Sequence, residues 1–112
     1  MTQEAPYIPY DIYESPWEMV IILPLWGVKK ESITLSIANY RLIIAWERIQ
    51  PKLKSSCVAL KEECYWWAIQ QVIDLPPQAY FDKIHSKLTP ENTLEIVIPK
   101  MSVPDKIELE LE

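Results

Sequence analysis

Along much of this chain, apolar residues recur at every second position in short stretches. Tyr7 to Tyr13 opens the pattern around Asp11-Ile12-Tyr13, and Glu18 to Leu23 follows, closed by Pro24. Ile33, Leu35 and Ile37 share one face, with Thr34 and Ser36 on the other. After a turn at Ala38-Asn39-Tyr40, Leu42, Ile44 and Trp46 share a face within Arg41 to Trp46. Leu94, Ile96 and Ile98 alternate with Thr93, Glu95 and Val97. Successive side chains on an extended backbone point to opposite faces, so a period of two predicts half-buried antiparallel strands.

The segments between these stretches complete the outline. Glu47 to Leu60 reads as an irregular, basic loop. Lys61 to Leu75 reads as a long strand region, broken near Trp66-Trp67 and closed by Pro76-Pro77. Tyr80 to Lys83 predicts one helical turn. Ile84 to Leu88 and Thr93 to Pro99 predict a hairpin around Thr89 to Asn92. Short strands at a spacing of roughly 8–12 residues, with no helix long enough to cover a sheet, predict an all-β, immunoglobulin-like antiparallel β-sandwich.

The tail carries a second kind of signal. Ile107, Leu109 and Leu111 alternate with Glu108, Glu110 and Glu112. Such a strip suits either a final strand of the sandwich or a detachable strand that adds to the sheet edge of a neighbouring chain.

Composition narrows the function. The chain has 112 residues, 49% of them hydrophobic, a net charge of −5 and a single glycine. That length suits one domain with a modest core. The acidic balance argues against a nucleic-acid partner, which needs clustered Lys and Arg. One glycine argues against phosphate-cradling loops. The longest apolar run, Met19 to Val28, is ten residues with Pro24 and Gly27 inside it. A membrane span needs roughly 20 residues, so none is expected. The first residues lack the pattern of a secretory signal. Cys57 and Cys64 are therefore expected as free thiols in a reducing cytoplasm. Their Cys-x6-Cys spacing is not that of a zinc site. His85, beside Lys83 and Lys87, has no sequence-level partner for catalysis, and the adjacent Glu62 and Glu63 would point apart on a strand. The expectation is no enzyme, no cofactor and no metal.

Five blocks in order resemble the α-crystallin domain of the small heat-shock proteins. Asp11-Ile12-Tyr13-Glu14 precedes Leu25-Trp26-Gly27-Val28-Lys29-Lys30-Glu31-Ser32-Ile33, similar to the family's Leu-Pro-Gly-Val-Lys-Lys-Glu-Asp-Ile. Leu42-Ile43-Ile44-Ala45-Trp46-Glu47-Arg48 matches Leu-Thr-Ile-Ser-Gly-Glu-Arg, and Ile73-Asp74-Leu75-Pro76 matches Phe-Arg-Leu-Pro. Leu94-Glu95-Ile96-Val97-Ile98-Pro99-Lys100 is similar to Leu-Thr-Val-Thr-Val-Pro-Lys. The chain departs from the family where Trp26 replaces a proline and Trp46 and Trp67 replace glycines. Asn92 stands at a turn glycine, and Cys64 where many members carry an arginine.

The resemblance implies an organisation of residues 1–9 as a short arm, 10–100 as the sandwich and 101–112 as a tail. It implies an ATP-independent holdase that binds unfolding clients and works as a homodimer or a larger oligomer. A dimer loop would use Glu47, Arg48, Val58 and Leu60. The tail, through Ile107, Leu109 and Leu111, would dock in a groove lined by Ile33, Leu35, Ile37, Ile69, Ile73 and Leu75. The alternative is an interaction module on the same sandwich, either an adapter of the CS-domain kind or a subunit of mixed oligomers. From the residues themselves, Trp46 is expected in the core and one of Trp66 and Trp67 outside it. Trp26, Trp66 and Trp67 are the expected client contacts, since aromatic side chains supply large contact area for little lost entropy.

Overall fold

Seven strands form where the alternation predicts them, and they pair entirely antiparallel in two sheets. The computed structural model describes residues 8–101, 110 and 111. In chain order the strands are β1 (Asp11–Glu14), β2 (Glu18–Pro24), β3 (Thr34–Ala38), β4 (Arg41–Arg48), β5 (Trp67–Asp74), β6 (His85–Leu88) and β7 (Thr93–Pro99). Single 3-10 turns at Lys30–Ser32 and Phe81–Lys83 precede β3 and β6. One sheet runs β1-β2-β7-β6 and the other β3-β4-β5. The sequence-predicted sandwich is the observed architecture.

The register explains the core. Ile21 pairs with Ile96 and Leu23 with Leu94, so the apolar faces of β2 and β7 coincide. In the second sheet Trp46 pairs with Ile69 and Leu42 with Ile73. Ile21, Leu23, Leu42, Ile44, Trp46, Ile96 and Ile98 are essentially sealed from water and form one cluster with Leu25, Ile69, Ile73, Leu75 and Leu94. Trp46 fills the space expected of it at 2% exposure. Its indole N–H is buried without an acceptor, a local cost offset by the area the ring buries.

Three turns depend on left-handed backbone. Asn39 and Tyr40 have φ of 52° and 61° between the paired residues Ala38 and Arg41. That is the two-residue hairpin turn whose twist suits antiparallel strands. The Tyr40 carbonyl accepts the Leu75 N–H at 2.9 Å, and its ring meets Phe81 edge-on at 5.3 Å. Asn92, with φ of 62°, closes the β6–β7 hairpin, where the Thr89 hydroxyl accepts the Thr93 N–H at 3.1 Å. Gly27, with φ of 76°, turns the chain into an isolated bridge between Val28 and Arg48.

The region from Glu47 to Trp66 departs from the expectation. β4 runs through Glu47 and Arg48, so both belong to a strand and the loop begins only at Ile49. The long strand expected from Lys61 shrinks to Trp67–Asp74. The reason is pairing: Arg48 opposite Trp67 is the last residue pair of the β4–β5 ladder, and beyond it no strand among the described residues offers hydrogen bonds. Glu62 and Glu63 consequently lie in the loop. The expected strip at Ile107 and Leu109 falls outside the described residues.

Candidate binding surfaces

A two-sheet sandwich leaves four strand edges. Here they are β1 and β6 in one sheet, β3 and β5 in the other. Unpaired edges with apolar neighbours invite an added strand.

A depression lies between the edges β3 and β6. Its walls are Ile33, Leu35, Leu88 and Leu94, flanked by Lys30 and Lys87, and it encloses about 480 Å³. Leu35 and Ile37 face the inside of their sheet, opposite Ile44 and Leu42, yet remain open to water because β3 is terminal. This corrects the expected groove. Ile69, Ile73 and Leu75 do not border it: β4 lies between β3 and β5, and all three side chains are core. Sequence reasoning missed Leu88 and the two lysines. The available signal was the short β6 stretch with Ser86 and Leu88 on one face.

The loop of residues 49–66 carries a second surface. Every residue from Pro51 to Cys64 is exposed, with Val58 at 81% and Leu60 at 96%. Leu53 is open as well, so the loop presents apolar side chains that its own sandwich leaves uncovered. Arg48 differs from its expected companions Val58 and Leu60. It is 7% exposed, with its guanidinium 4.7 Å above the Trp26 ring.

The tryptophans divide as geometry dictates. Trp26 is 62% exposed beside Gly27, and Trp67 is 58% exposed, whereas Trp66 is partly buried. Strand parity places Trp67 with inward-facing Ile69 and Ile73. Its φ of 74° at the end of the ladder breaks the pleat, so parity fails there. Trp17 is also exposed, on the turn between β1 and β2.

Polar contacts tie the β1–β2 turn to the end of β7. The Lys100 ammonium donates to the Glu14 carboxylate and to the Ser15 carbonyl, while its backbone N–H donates to the Trp17 carbonyl at 2.8 Å. His85 is exposed, with Nδ1 3.2 Å from the Lys83 carbonyl oxygen. Cys57 and Cys64 are free and exposed. Among the described residues no cluster of three metal-ligating side chains occurs, and no helix is long and apolar enough to cross a membrane.

Solved structures share this arrangement over most of their length. A small heat-shock protein from Xylella fastidiosa superposes with a TM-score of 0.76 at 21% identity, covering 97% of this chain and 99% of that one. For heat shock protein 16.0 from Schizosaccharomyces pombe the TM-score is 0.71 at 18% identity, with 96% and 100% covered. A point mutant of hsp14.1 from Sulfolobus solfataricus matches at 28% identity and a TM-score of 0.65, covering 92% and 80%. No protein-family model matches the sequence, and no curated protein is similar to it in sequence.

Proposed function

We propose that this chain, a sandwich with the α-crystallin-domain fold of the small heat-shock proteins, is an ATP-independent holdase that keeps unfolding proteins from aggregating. One observation carries the reading. The fold leaves an apolar groove open between two unpaired strand edges, with Ile33, Leu35, Leu88 and Leu94 on its walls. An unfolding client offers what such a groove lacks, an extended apolar segment with free backbone groups. The exposed rings of Trp26 and Trp67 add contact area outside the groove.

In this reading the chain acts on itself by the same chemistry. Residues 10–100 are the working sandwich, 1–9 a short arm and 101–112 a tail. Ile107, Leu109 and Leu111 enter the groove of a neighbouring copy, where Lys30 and Lys87 meet the intervening glutamates. Val58 and Leu60 are covered when the loop packs on a second copy as a dimer. Free, exposed Cys57 and Cys64 suit a reducing compartment, the cytoplasm.

The test is aggregation of a heat-labile client followed by light scattering, with this protein at equal subunit concentration and without ATP. Suppression is expected. A folded sample that leaves the client's aggregation unchanged overturns the reading in favour of an adapter or mixed-oligomer subunit.

A further inference from the structure

Arg48 sits where a cation is hard to keep. It is 7% exposed, its Nε–H is buried without an acceptor, and among the described residues it forms no ion pair. Buried charges in folded proteins are normally paired and hydrogen-bonded, because losing water costs them heavily. The Trp26 ring, 4.7 Å from the guanidinium carbon, compensates part of that loss. A ring face, however, accepts none of the guanidinium's five in-plane N–H donors well.

The same arginine lines a cavity of about 670 Å³ whose other walls include Pro9, Pro24, Trp26 and Tyr65. That volume is within the range of small-ligand sites, which combine apolar walls with a few fixed polar groups. Glu63 also borders the cavity. Its carboxylate is engaged by Lys61 at 3.2 Å and is 75% exposed, so it faces water rather than Arg48. Gly27 helps hold the arrangement. A Cβ there would meet the Arg48 stem at 3.7 Å, an ordinary contact, so its glycine serves the φ of 76° that brings Trp26 and Arg48 together.

We propose that this cavity is a binding site for a carboxylate carried on an apolar or aromatic group. The carboxylate would pair with Arg48, and the apolar part would lie against Trp26, Tyr65 and the two prolines. The holdase reading is not needed for this site, and the readout below is independent of client aggregation.

Two pairs of probes test it on the full chain. One is indole-3-acetate against indole-3-acetamide, a free acid and its neutral isostere. The other is acetyl-Leu-Glu-Leu-amide against acetyl-Leu-Gln-Leu-amide, which presents the carboxylate on a peptide. Calorimetry is expected to show at least one acid binding roughly tenfold or more tighter than its amide, the discrimination a charge-assisted pair supplies. Which acid wins tells a free small acid from one borne on a chain. The chain has only two arginines, so the Nε–H resonances of the 15N-labelled protein locate the site. The Arg48 signal should move with the acid and not with the amide. Arg41, exposed and already paired with Asp74 at 3.2 Å, should stay still. Equal binding of acid and amide, no binding of either acid, or movement of the Arg41 signal alone overturns the proposal.

Discussion

β7 and the loop segment around Val58 share a sequence pattern and meet opposite fates. In β7, Leu94, Ile96 and Ile98 alternate with half-buried neighbours and are almost completely buried. In the loop, Val58 and Leu60 also sit at alternate positions, yet both are among the most exposed apolar residues of the chain. β7 has β2 on one side and β6 on the other, so its backbone is hydrogen-bonded on both edges. Among the described residues the loop has no strand beside it. Alternation therefore makes a segment fit to be a strand, while burial also requires a partner whose register brings an apolar face over it. A segment with the first and without the second stays exposed, as Val58 and Leu60 do.

The comparison can be broken most severely from the packed side. Trp46→Ala is expected to cost about 3–5 kcal/mol, the usual loss for truncating a large buried aromatic ring. Denaturant unfolding followed by circular dichroism measures it, and a loss below about 1 kcal/mol would mean the ring is not central to the core. Lys100→Met removes the donor shared by Glu14 and Ser15. Its expected cost is roughly 1–3 kcal/mol, because the ammonium is mostly buried and charge-assisted. Thermal melts of the variant and of Glu14→Gln separate the loss of the pair from the loss of packing.

Smaller effects sharpen the contrast. Asn92→Gly should stabilise the β6–β7 hairpin by up to about 1 kcal/mol, since glycine adopts a φ of 62° without the Cβ penalty. A lower melting temperature would show that the asparagine side chain contributes more than its backbone costs. Val58→Ser with Leu60→Ser should leave the stability of the single sandwich within about 0.5 kcal/mol, as exposed substitutions do. The same variant should shift sedimentation from dimer towards single chain. An unchanged dimer would mean that the loop's apolar residues serve something else. Ile107→Ser with Leu109→Ser should likewise spare stability and lower the mass of any assembly beyond the dimer. Light scattering decides that, and an unaltered mass would detach the tail from assembly.

Reading the strands from sequence succeeded where the physics was local. The faces of β4 and β7 follow from alternation, the β3–β4 turn from Asn39, and the hairpin closure from Thr89 to Asn92. The expected groove residues part company in the fold. Ile33 and Leu35 line the depression between β3 and β6, whereas Ile69, Ile73 and Leu75 lie in the core. Both segments carry apolar residues on one parity, interrupted at Gln71 in β5, and sequence spacing contains no term for which strand ends at an edge. Read from sequence, Arg48 falls in the basic Glu47–Leu60 loop, where charge ordinarily marks the surface. In the fold, Trp26 and the bend at Gly27 cover it.

By itself, then, the sequence determined the all-β character, the positions of most strands and the apolar faces of β4 and β7, because side-chain direction alternates along any extended chain. The tertiary structure decided which edges border the groove, where β4 and β5 stop, and that Arg48 is enclosed without an ion pair among the described residues. Those outcomes depend on strand order and on contacts between residues far apart in the chain, which no local period encodes.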